Sequence, residues 1–597
     1  MDSPVVPQRI EALREAMKAA GVDACVVLSS DPHMSEYLPD YWQARAWLCG
    51  FEGSAGTLVV TAGFAGLWTD SRYWEQADHD LAGTGVQTMR AGSDGVPGVV
   101  EWLAENIASG GRVAVDGRTL NVNTFRTWQT ALAERDVRLD CTLDLPGMVW
   151  ADRPRLPASP VYEHRPPFAC RSRSENLAAV REAMDRHRAD WLLMSTLDDI
   201  AWLLNLRGGD VSYNPVFLAH ALIGKEDVRL FIAPGKIDAQ LCGVLGQDGV
   251  SLAPYDSVRD ALASLPKDQR LMYDPARVAV AMLDAAAQTQ KAEQVNPSHL
   301  LKSRKNENEL EHVRRAMEQD GAALCEFFAW FEGALGRERI TELTIDDKIT
   351  EARARREHFV TPSFSTIAAF NANGAMPHYH ATQQSHALIE GDGLLLIDSG
   401  GQYLGGTTDI TRVVAVGMPN NEQKHDYTIV LKGMVALSQA VFPRGVPAPM
   451  LDPIARLPIW QAGADFGHGT GHGVGYFLNV HEGPQSISYR TTINPNMGME
   501  AGMITSNEPG LYRPGKWGIR IENLVVNCRH SVTQFGEFLC FETLTLCPID
   551  TRCVLPELLT QQERAWLNDY HAHVRERLLP LVDGPARQWL LMRTETL

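Results

Sequence analysis

Four acidic residues in the second half of this chain lie beside short, strongly apolar segments. Asp398 ends the segment GLLLID, and Asp409 precedes the segment ITRVVAV after a glycine-rich connection. Glu508 and Glu522 occupy similar places in a second pair of segments further along. Apolar segments of this length, separated by glycine and proline, are typical of strands joined by tight turns. Any one of these acids alone would be an ordinary solvated strand end, but four buried together need cations to neutralise them, so the sequence favours a metal cluster.

A segment rich in glycine and histidine, residues 465–484, lies between these two pairs. It contains His468, His472 and His481 among glycines that allow the backbone to approach another group closely. A phosphate-binding loop is the main alternative for such a glycine run. The segment lacks the GxxxxGK[ST] pattern, and no acidic residue follows at the spacing of a ribose site, so metal or transition-state chemistry is the better interpretation.

A short repeat marks the first half of the chain. The sequence REAM at 14–17 recurs at 181–184, and an apolar run follows each copy, at 25–28 and 191–194. Both copies predict an amphipathic helix that leads into a buried strand, which indicates two related α/β domains. The alternative is a chance match between two segments rich in alanine and glutamate.

Two breaks in the sequence predict the domain organisation. Residues 153–169 contain five prolines, which cannot continue a helix or a central strand and therefore predict an extended linker. A second break precedes a long helical pattern with one apolar face, formed by Leu310, Val313, Met317, Leu324, Phe327 and Phe331. At 597 residues the chain is long enough for three or four domains, and we expect three, at 1–160, 161–303 and 304–597.

Charge and cysteine content exclude several classes of function. The formal net charge is −18, so we expect no binding to nucleic acid or to an anionic membrane, because both attract clustered Lys and Arg. The ten cysteines are scattered without a CxxC pair, as expected of reduced thiols. The N-terminal segment lacks the pattern of an export signal, and no stretch of 18 apolar residues occurs. We therefore expect a cytoplasmic protein without a membrane anchor.

Four segments together resemble the signature segments of the M24 metallopeptidases. They read IDSGGQYLGGTTDITR, HGTGHGVGYFLNVHEGP, NEPGLY and GIRIENLVV, and further similarity upstream extends the resemblance over nearly the whole chain. The resemblance implies an α/β (α+β) fold class, with two related creatinase-like N-terminal domains followed by a pita-bread catalytic domain. Within the family, the chain is similar to the long, three-domain cytosolic aminopeptidases that remove the first residue from peptides with proline in second position.

The resemblance also implies a set of metal ligands. Asp398 binds one metal, His472 and Glu508 bind the other, and Asp409 and Glu522 bridge the two. Four carboxylates and one imidazole form a hard, oxygen-rich donor set, which favours two Mn²⁺ ions, with Co²⁺ or Zn²⁺ as alternatives. Two such cations can share a water as hydroxide and polarise the scissile carbonyl.

Further residues are implied by the same resemblance. Glu508 is expected to take and pass the proton, and His378 and His481 are expected to bind substrate and stabilise the transition state. His468 and Arg520 are also expected to bind substrate and to support the site, with Arg520 orienting Glu522 or Asp409.

Several alternatives and partners accompany this interpretation. A prolidase, which cleaves only Xaa-Pro dipeptides, would share the same ligands, and a non-catalytic peptide-binding protein of the same fold would have lost some of them. The expected partners are peptides with an N-terminal Xaa-Pro sequence and a second copy of the chain in a homodimer. Preference for proline is implied by the resemblance alone.

Overall fold

The structure is a computed structural model, and it describes residues 5–597. The chain forms two compact units. The first comprises residues up to Arg165 together with Arg171–Ser298, and the second comprises Pro166–Cys170 and His299–Leu597. The expected domain limits near residues 160 and 303 remain predictions.

The first unit begins with a six-stranded sheet flanked by helices. Its helices are α1 (Val5–Ala20), α2 (Ala44–Cys49), α3 (Trp74–Asp80), α4 (Val99–Asn106), α5 (Val122–Ala133) and α6 (Leu145–Val149). Its strands are β1 (Ala24–Leu28), β2 (Thr57–Thr61), β3 (Ala65–Thr69), β4 (Gln87–Arg90), β5 (Arg112–Val115) and β6 (Arg138–Asp140), in the order β4-β3-β2-β1-β5-β6.

A second six-stranded sheet follows in the same unit. Its helices are α7 (Arg173–Arg186), α8 (Leu197–Leu204), α9 (Ala239–Gln247), α10 (Val258–Ala263) and α11 (Val280–Ala285). A short pair, β7 (Tyr162–Glu163) and β9 (Leu206–Arg207), accompanies the sheet strands β8 (Trp191–Met194), β10 (Ala219–Gly224), β11 (Val228–Ile232), β12 (Val250–Pro254), β13 (Arg270–Tyr273) and β14 (Gln290–Glu293). The sheet order is β12-β11-β10-β8-β13-β14.

The two sheets have the same topology. In each, the first strand pairs antiparallel with the next long strand on one side and parallel with a later strand on the other. The outer strands continue the pattern with parallel pairs at both edges. The repeated helices α1 and α7 lead into β1 and β8, whose first residues are Ala24 and Trp191. The prediction of two related α/β domains is therefore confirmed.

The second unit is built on a long buried helix. Its helices are α12 (Pro297–Ser303, whose first two residues belong to the first unit), α13 (Glu307–Ala334), α14 (Glu342–Ala354), α15 (Asn421–Ser438), α16 (Asp452–Gln461), α17 (Gln561–Leu578) and α18 (Gly584–Arg593). A capping box between Asn306 and Glu309 starts α13, because each side chain accepts a backbone N–H that the helix leaves unpaired. All six residues of the predicted apolar face are buried in the core of this unit.

The strands of the second unit form several small sheets. Those around the acidic residues are β16 (Ile367–Phe370), β17 (Gly393–Ser399), β20 (Ile410–Val416), β24 (Ile504–Asn507), β25 (Gly510–Arg513), β26 (Trp517–Arg520) and β27 (Asn523–Thr533). The others are β15 (Phe359–Pro362), β18 (Gly401–Tyr403), β19 (Gly406–Thr407), β21 (Val441–Pro443), β22 (Gly471–His472), β23 (Ser486–Ile487) and β28 (Gly536–Thr543).

The strand pairs differ in one respect from a simple hairpin. β17 pairs with β20 as expected, but the glycine-rich connection between them forms β18 and β19, which join β15 in a separate sheet. In the second pair, β24 pairs with β27, and β25 and β26 form a hairpin between them. None of the helices in residues 5–597 has both the length and the apolar character that a membrane span needs.

Candidate active site

The first strand pair places Asp398 and Asp409 at one end of the β17–β20 ladder. Asp398 lies within β17 opposite Thr411, and Asp409 lies in the break immediately before β20. Both acids are buried, with 8% and 5% of their surface exposed. The ladder therefore brings the two carboxylates to the same region although they are eleven positions apart in the sequence.

The second strand pair places Glu508 and Glu522 in the same way. Asn507, the last residue of β24, pairs with Asn523, the first residue of β27. Glu508 directly follows Asn507 and Glu522 directly precedes Asn523, so the two glutamates lie next to this residue pair. The backbone N–H of Glu522 donates to the carbonyl of Thr411 at 3.2 Å, which joins the second pair to the first. Three of the four acids thus lie at breaks between strands, where the backbone departs from regular pairing.

His472 reaches the acids from the glycine-rich segment. The backbone N–H of His472 donates to Ser506 Oγ, and a Cβ on the preceding Gly471 would lie 1.9 Å from the carbonyl oxygen of Ser506. Glycine is therefore required at position 471, because any side chain would push the segment away from β24. His472 Nδ1 lies 2.9 Å from the Gly473 carbonyl, so Nδ1 carries a proton and Nε2 is the nitrogen that faces the acids.

The distances around His472 define the cluster. Its Nε2 lies 3.4 Å from Glu508 Oε1 and 3.5 Å from Asp409 Oδ2. Ligand atoms of Asp409, His472 and Glu522 all lie within 4.8 Å of one another. Asp398 interacts electrostatically with Asp409 and Glu508. All five residues predicted as metal ligands therefore meet in one place.

Burial of so many acids perturbs their ionisation. Burial raises the pKa of Asp398 to about 6, although Arg520 opposes the shift. Burial and the charge of Asp409 raise the pKa of Glu522 well above its usual range, and burial raises that of Glu508. Burial lowers the pKa of His472, but the neighbouring Asp409 and Glu508 outweigh it and raise that pKa to about 9. The cluster thus has an excess of negative charge that cations would relieve.

Two carboxylate oxygens test whether these residues fit a metal. Asp398 Oδ1 and Glu522 Oε1 are buried and accept no hydrogen bond from any residue in 5–597. Such buried, unpartnered oxygens are costly unless a cation or water contacts them. The donor set is also rich in hard oxygen ligands, which suits divalent cations such as Mn²⁺. The residues present therefore fit a divalent metal site.

Arg520 connects the acids partly through Thr411, a residue that the sequence analysis did not identify. Its Nη2 donates to Asp398 Oδ2 at 2.6 Å, and its Nε donates to Thr411 Oγ1 at 3.1 Å. The Thr411 hydroxyl donates in turn to Glu522 Oε2 at 2.7 Å. Arg520 was expected to orient Glu522 or Asp409; it contacts Asp398 directly and reaches Glu522 through Thr411.

Tyr512 is a second residue that the sequence analysis missed. Its hydroxyl accepts from Arg520 Nη1 at 2.6 Å and lies 2.7 Å from His468 Nε2. His468 Nδ1 lies 4.0 Å from Glu508 Oε2, so the predicted His468 does lie beside the cluster. Tyr512 pairs with Gly518 in the β25–β26 hairpin, which places it on the same face as Arg520. Strand alternation was therefore the signal that could have identified it.

The two remaining predicted histidines lie in different surroundings. The ring of His481 contacts the ring of His472 edge to face, with centroids 4.3 Å apart. His378 lies in a turn that follows β16, is partly exposed, and immediately precedes the buried Tyr379. The structure thus brings His481 to the cluster, whereas the role of His378 remains a prediction.

Comparisons with protein families cover most of the chain. The family described as metallopeptidase family M24 matches residues 311–527, which contain all five clustered residues. The creatinase/prolidase N-terminal domain matches twice, at 9–144 and 152–309. The C-terminal region of peptidase M24 matches residues 537–597.

Individual relatives match over nearly their full length. The chain is 37% identical to "Xaa-Pro aminopeptidase 1" of Dictyostelium discoideum, over 98% of this chain and 95% of that protein. It is also 37% identical to "Aminopeptidase P2" of Arabidopsis thaliana, over 99% of this chain and 89% of that protein.

Solved structures show the same likeness. The X-prolyl aminopeptidase of Caenorhabditis elegans, described as a cytosolic enzyme with a di-nuclear active site, superposes with a TM-score of 0.94 at 31% identity, covering 99% of this chain and 100% of that one. An Xaa-Pro dipeptidase from Bacillus anthracis shares the fold over 64% of this chain and 99% of its own, with a TM-score of 0.51 at 22% identity. Because relatives this similar align from end to end, the chain belongs to metallopeptidase family M24.

Proposed function

We propose that this protein is an Xaa-Pro aminopeptidase, which hydrolyses the bond between the first residue of a peptide and a proline in second position. The observation that carries this proposal is the full-length likeness to aminopeptidases of that specificity, which includes both N-terminal domains. The relatives that match from end to end are named Xaa-Pro aminopeptidase and aminopeptidase P, which favours an aminopeptidase over a prolidase.

We assign the metal ligands from the clustered residues. Asp398 would hold one divalent cation, His472 and Glu508 would hold a second, and Asp409 and Glu522 would serve both. The unpartnered oxygens of Asp398 and Glu522 support this assignment. When bound, two cations, for which we propose Mn²⁺, supply Lewis acidity that polarises the scissile carbonyl and lowers the pKa of an attacking water.

The remaining chemistry belongs to side chains of this chain. Glu508 takes the proton of the attacking water and delivers it to the leaving nitrogen. His481 and His378 donate hydrogen bonds to the peptide and to the developing oxyanion. His468 and Arg520 hold the site in place through the Tyr512 hydroxyl.

We also propose a cytosolic homodimer. The C. elegans neighbour is described as cytosolic, which supports the location.

An exposed apolar patch supports the dimer: Leu457 and Trp460 lie on one face of α16, and the ring of Tyr489 contacts Trp460 at its edge. Large exposed apolar patches are typical of protein interfaces. Sedimentation velocity on wild type and Leu457→Asp tests this, with a monomer expected only for the variant.

Three peptides test the enzymatic proposal. Chelated protein restored with Mn²⁺ is incubated with Arg-Pro-Pro, Arg-Pro and Arg-Ala-Ala peptides, and released arginine is measured. We expect metal-dependent cleavage of Arg-Pro-Pro alone. Preference for Arg-Pro would indicate a prolidase, and cleavage of Arg-Ala-Ala would contradict proline specificity. Absence of turnover with all three, despite bound metal, would indicate a peptide-binding role.

A further inference from the structure

A second buried charge cluster lies outside the acidic site. It consists of Lys302, Lys305 and Glu482, whose side chains are at most 1% exposed. Lys305 Nζ donates to Glu482 Oε1 at 2.6 Å, and Lys302 Nζ donates to Glu482 Oε2 at 3.1 Å. Two ammonium groups therefore converge on one carboxylate in the protein interior.

Lys305 makes two further hydrogen bonds. Its Nζ donates to the carbonyl oxygen of Val474 at 2.6 Å and to that of Ser303 at 3.4 Å. Val474 lies two residues after His472, and Glu482 lies immediately after His481. One ammonium group thus joins the arm of the glycine-rich segment that carries His472 to the arm that carries His481.

The two arms are also in direct backbone contact at this point. The N–H of Glu482 donates to the carbonyl of Gly473 at 2.8 Å. A Cβ on Gly473 would lie 2.0 Å from the carbonyl oxygen of Glu482, so only glycine permits this approach. The rings of His472 and His481 lie 4.3 Å apart beside this contact. A shift of Glu482 would therefore move His481 relative to His472.

The backbone of Lys305 is itself hydrogen-bonded to the segment that precedes β24. Its N–H donates to the carbonyl of Gly502 at 3.0 Å, just before β24. Gly502 has a φ of +82°, and a Cβ there would lie 2.3 Å from the carbonyl oxygen of Lys305. The side chain of Lys305 therefore contacts the two arms from a backbone position that is fixed against Gly502, in the segment before β24 and Glu508.

Stability alone is a weak reason for such a cluster. Desolvation of a buried ion pair offsets much of its Coulombic attraction, and apolar residues of similar volume often serve equally well. A buried charged group does, however, fix the geometry of the groups that it contacts. Any movement that breaks one of these contacts leaves a buried polar group without a hydrogen-bond partner, which costs free energy.

We propose that Lys305 is a positioning residue: by binding the Val474 carbonyl and the Glu482 carboxylate, it sets the place of His481 beside His472. The inference rests on the proposed function, in which His481 contacts the peptide substrate. Lys302 serves as the second cation on Glu482.

The matched pair Lys305→Met and Lys302→Met tests this inference. Each substitution removes one ammonium group with little change in volume. Each leaves one buried ion pair between the remaining lysine and Glu482, which has no net charge. Only Lys305→Met removes the contact to Val474. We expect kcat on Arg-Pro-Pro to fall about 10- to 100-fold for Lys305→Met, since small misplacements of a reacting group have effects of this size. For Lys302→Met we expect a fall of about 3-fold or less.

Further measurements separate positioning from loss of structure. Mn²⁺ affinity, measured by calorimetry, should stay within about 3-fold of wild type in both variants, because His472 is held independently by Ser506. A crystal structure of Lys305→Met should show the ring of His481 displaced from His472. Lys305→Arg should restore part of kcat, because arginine can donate to both acceptors.

The outcomes are distinguishable. Equal losses of kcat in the two Met variants, or no loss in either, would overturn the inference while leaving the proposed function intact. If Lys305→Met does not fold by circular dichroism, Lys305→Gln is compared with Lys302→Gln by the same criterion. Failure of the wild-type protein to cleave Arg-Pro-Pro would overturn the proposed function, and the positioning inference with it.

Discussion

Replacing Thr411 by valine should weaken metal binding without changing the shape of the site. The Thr411 hydroxyl donates to Glu522 Oε2 at 2.7 Å and accepts from Arg520 Nε at 3.1 Å. Valine has nearly the same volume but offers neither contact. Loss of a hydrogen bond to a charged group costs about 1.5–3 kcal/mol, which corresponds to about 10- to 100-fold in an equilibrium constant. Removal of a hydrogen-bond partner of a metal ligand typically lowers the metal affinity by a similar factor.

A matched control is available within the same unit. Thr505 is as fully buried as Thr411, but its hydroxyl has no hydrogen-bond partner within residues 5–597. Thr505→Val should therefore leave Mn²⁺ affinity unchanged. Calorimetric titration of Mn²⁺ into chelated protein measures both variants. The reasoning is refuted if the affinity of Thr411→Val lies within about 3-fold of wild type, or if Thr505→Val weakens binding equally.

Three further outcomes follow from the ionisation and packing of the second unit. Chelation should lower the thermal midpoint, and added Mn²⁺ should raise it with concentration, because the metal binds the folded acids; an unchanged midpoint would contradict a metal site at these residues. Burial lowers the pKa of His571 to about 4, below its unfolded value near 6.5. Between these two values the unfolded state binds a proton that the folded state does not. The contribution of His571 to the free energy of unfolding should therefore fall by about 2 kcal/mol between pH 6.5 and 5. Denaturation of His571→Gln at both pH values should show a smaller fall; an equal one would exclude this histidine as the cause. Tyr512→Phe should lower kcat about 10-fold with unchanged metal content, measured by steady-state kinetics and metal analysis, because the hydroxyl joins His468 to Arg520; a kcat equal to that of wild type would refute this role.

Several features of the fold were predictable because local patterns encode them. The repeat of helix and strand in the first half required only the periodicity of apolar residues, and the two sheets confirm it. The apolar face of α13 follows from three- to four-residue spacing, and the capping residues Asn306 and Glu309 identify where that helix begins. The glycine-rich connection was harder to interpret, since its strand β18 pairs with the distant β15 as well as with the neighbouring β19.

The clustered acids were predictable for a different reason. Carboxylates at the ends of apolar strands are chemically conspicuous, and their separation into two strand pairs indicates that they converge. The partners of those acids were not predictable in this way. Thr411 contacts Glu522 across 111 sequence positions, and Arg520 contacts Asp398 across 122. No local period relates residues so far apart.

The sequence by itself determined the repeated α/β domains, the long buried helix, and the acids and histidine that form the cluster. Only the tertiary structure decided which side chains hold those groups in place. Lys305 reaches Glu482 across 177 positions, and Tyr512 reaches His468 across 44 positions. Secondary structure follows from periodicities of two and 3.6 residues, which a sequence displays directly. Contacts between distant segments depend on how whole elements pack, and that packing has no periodic signature in the chain.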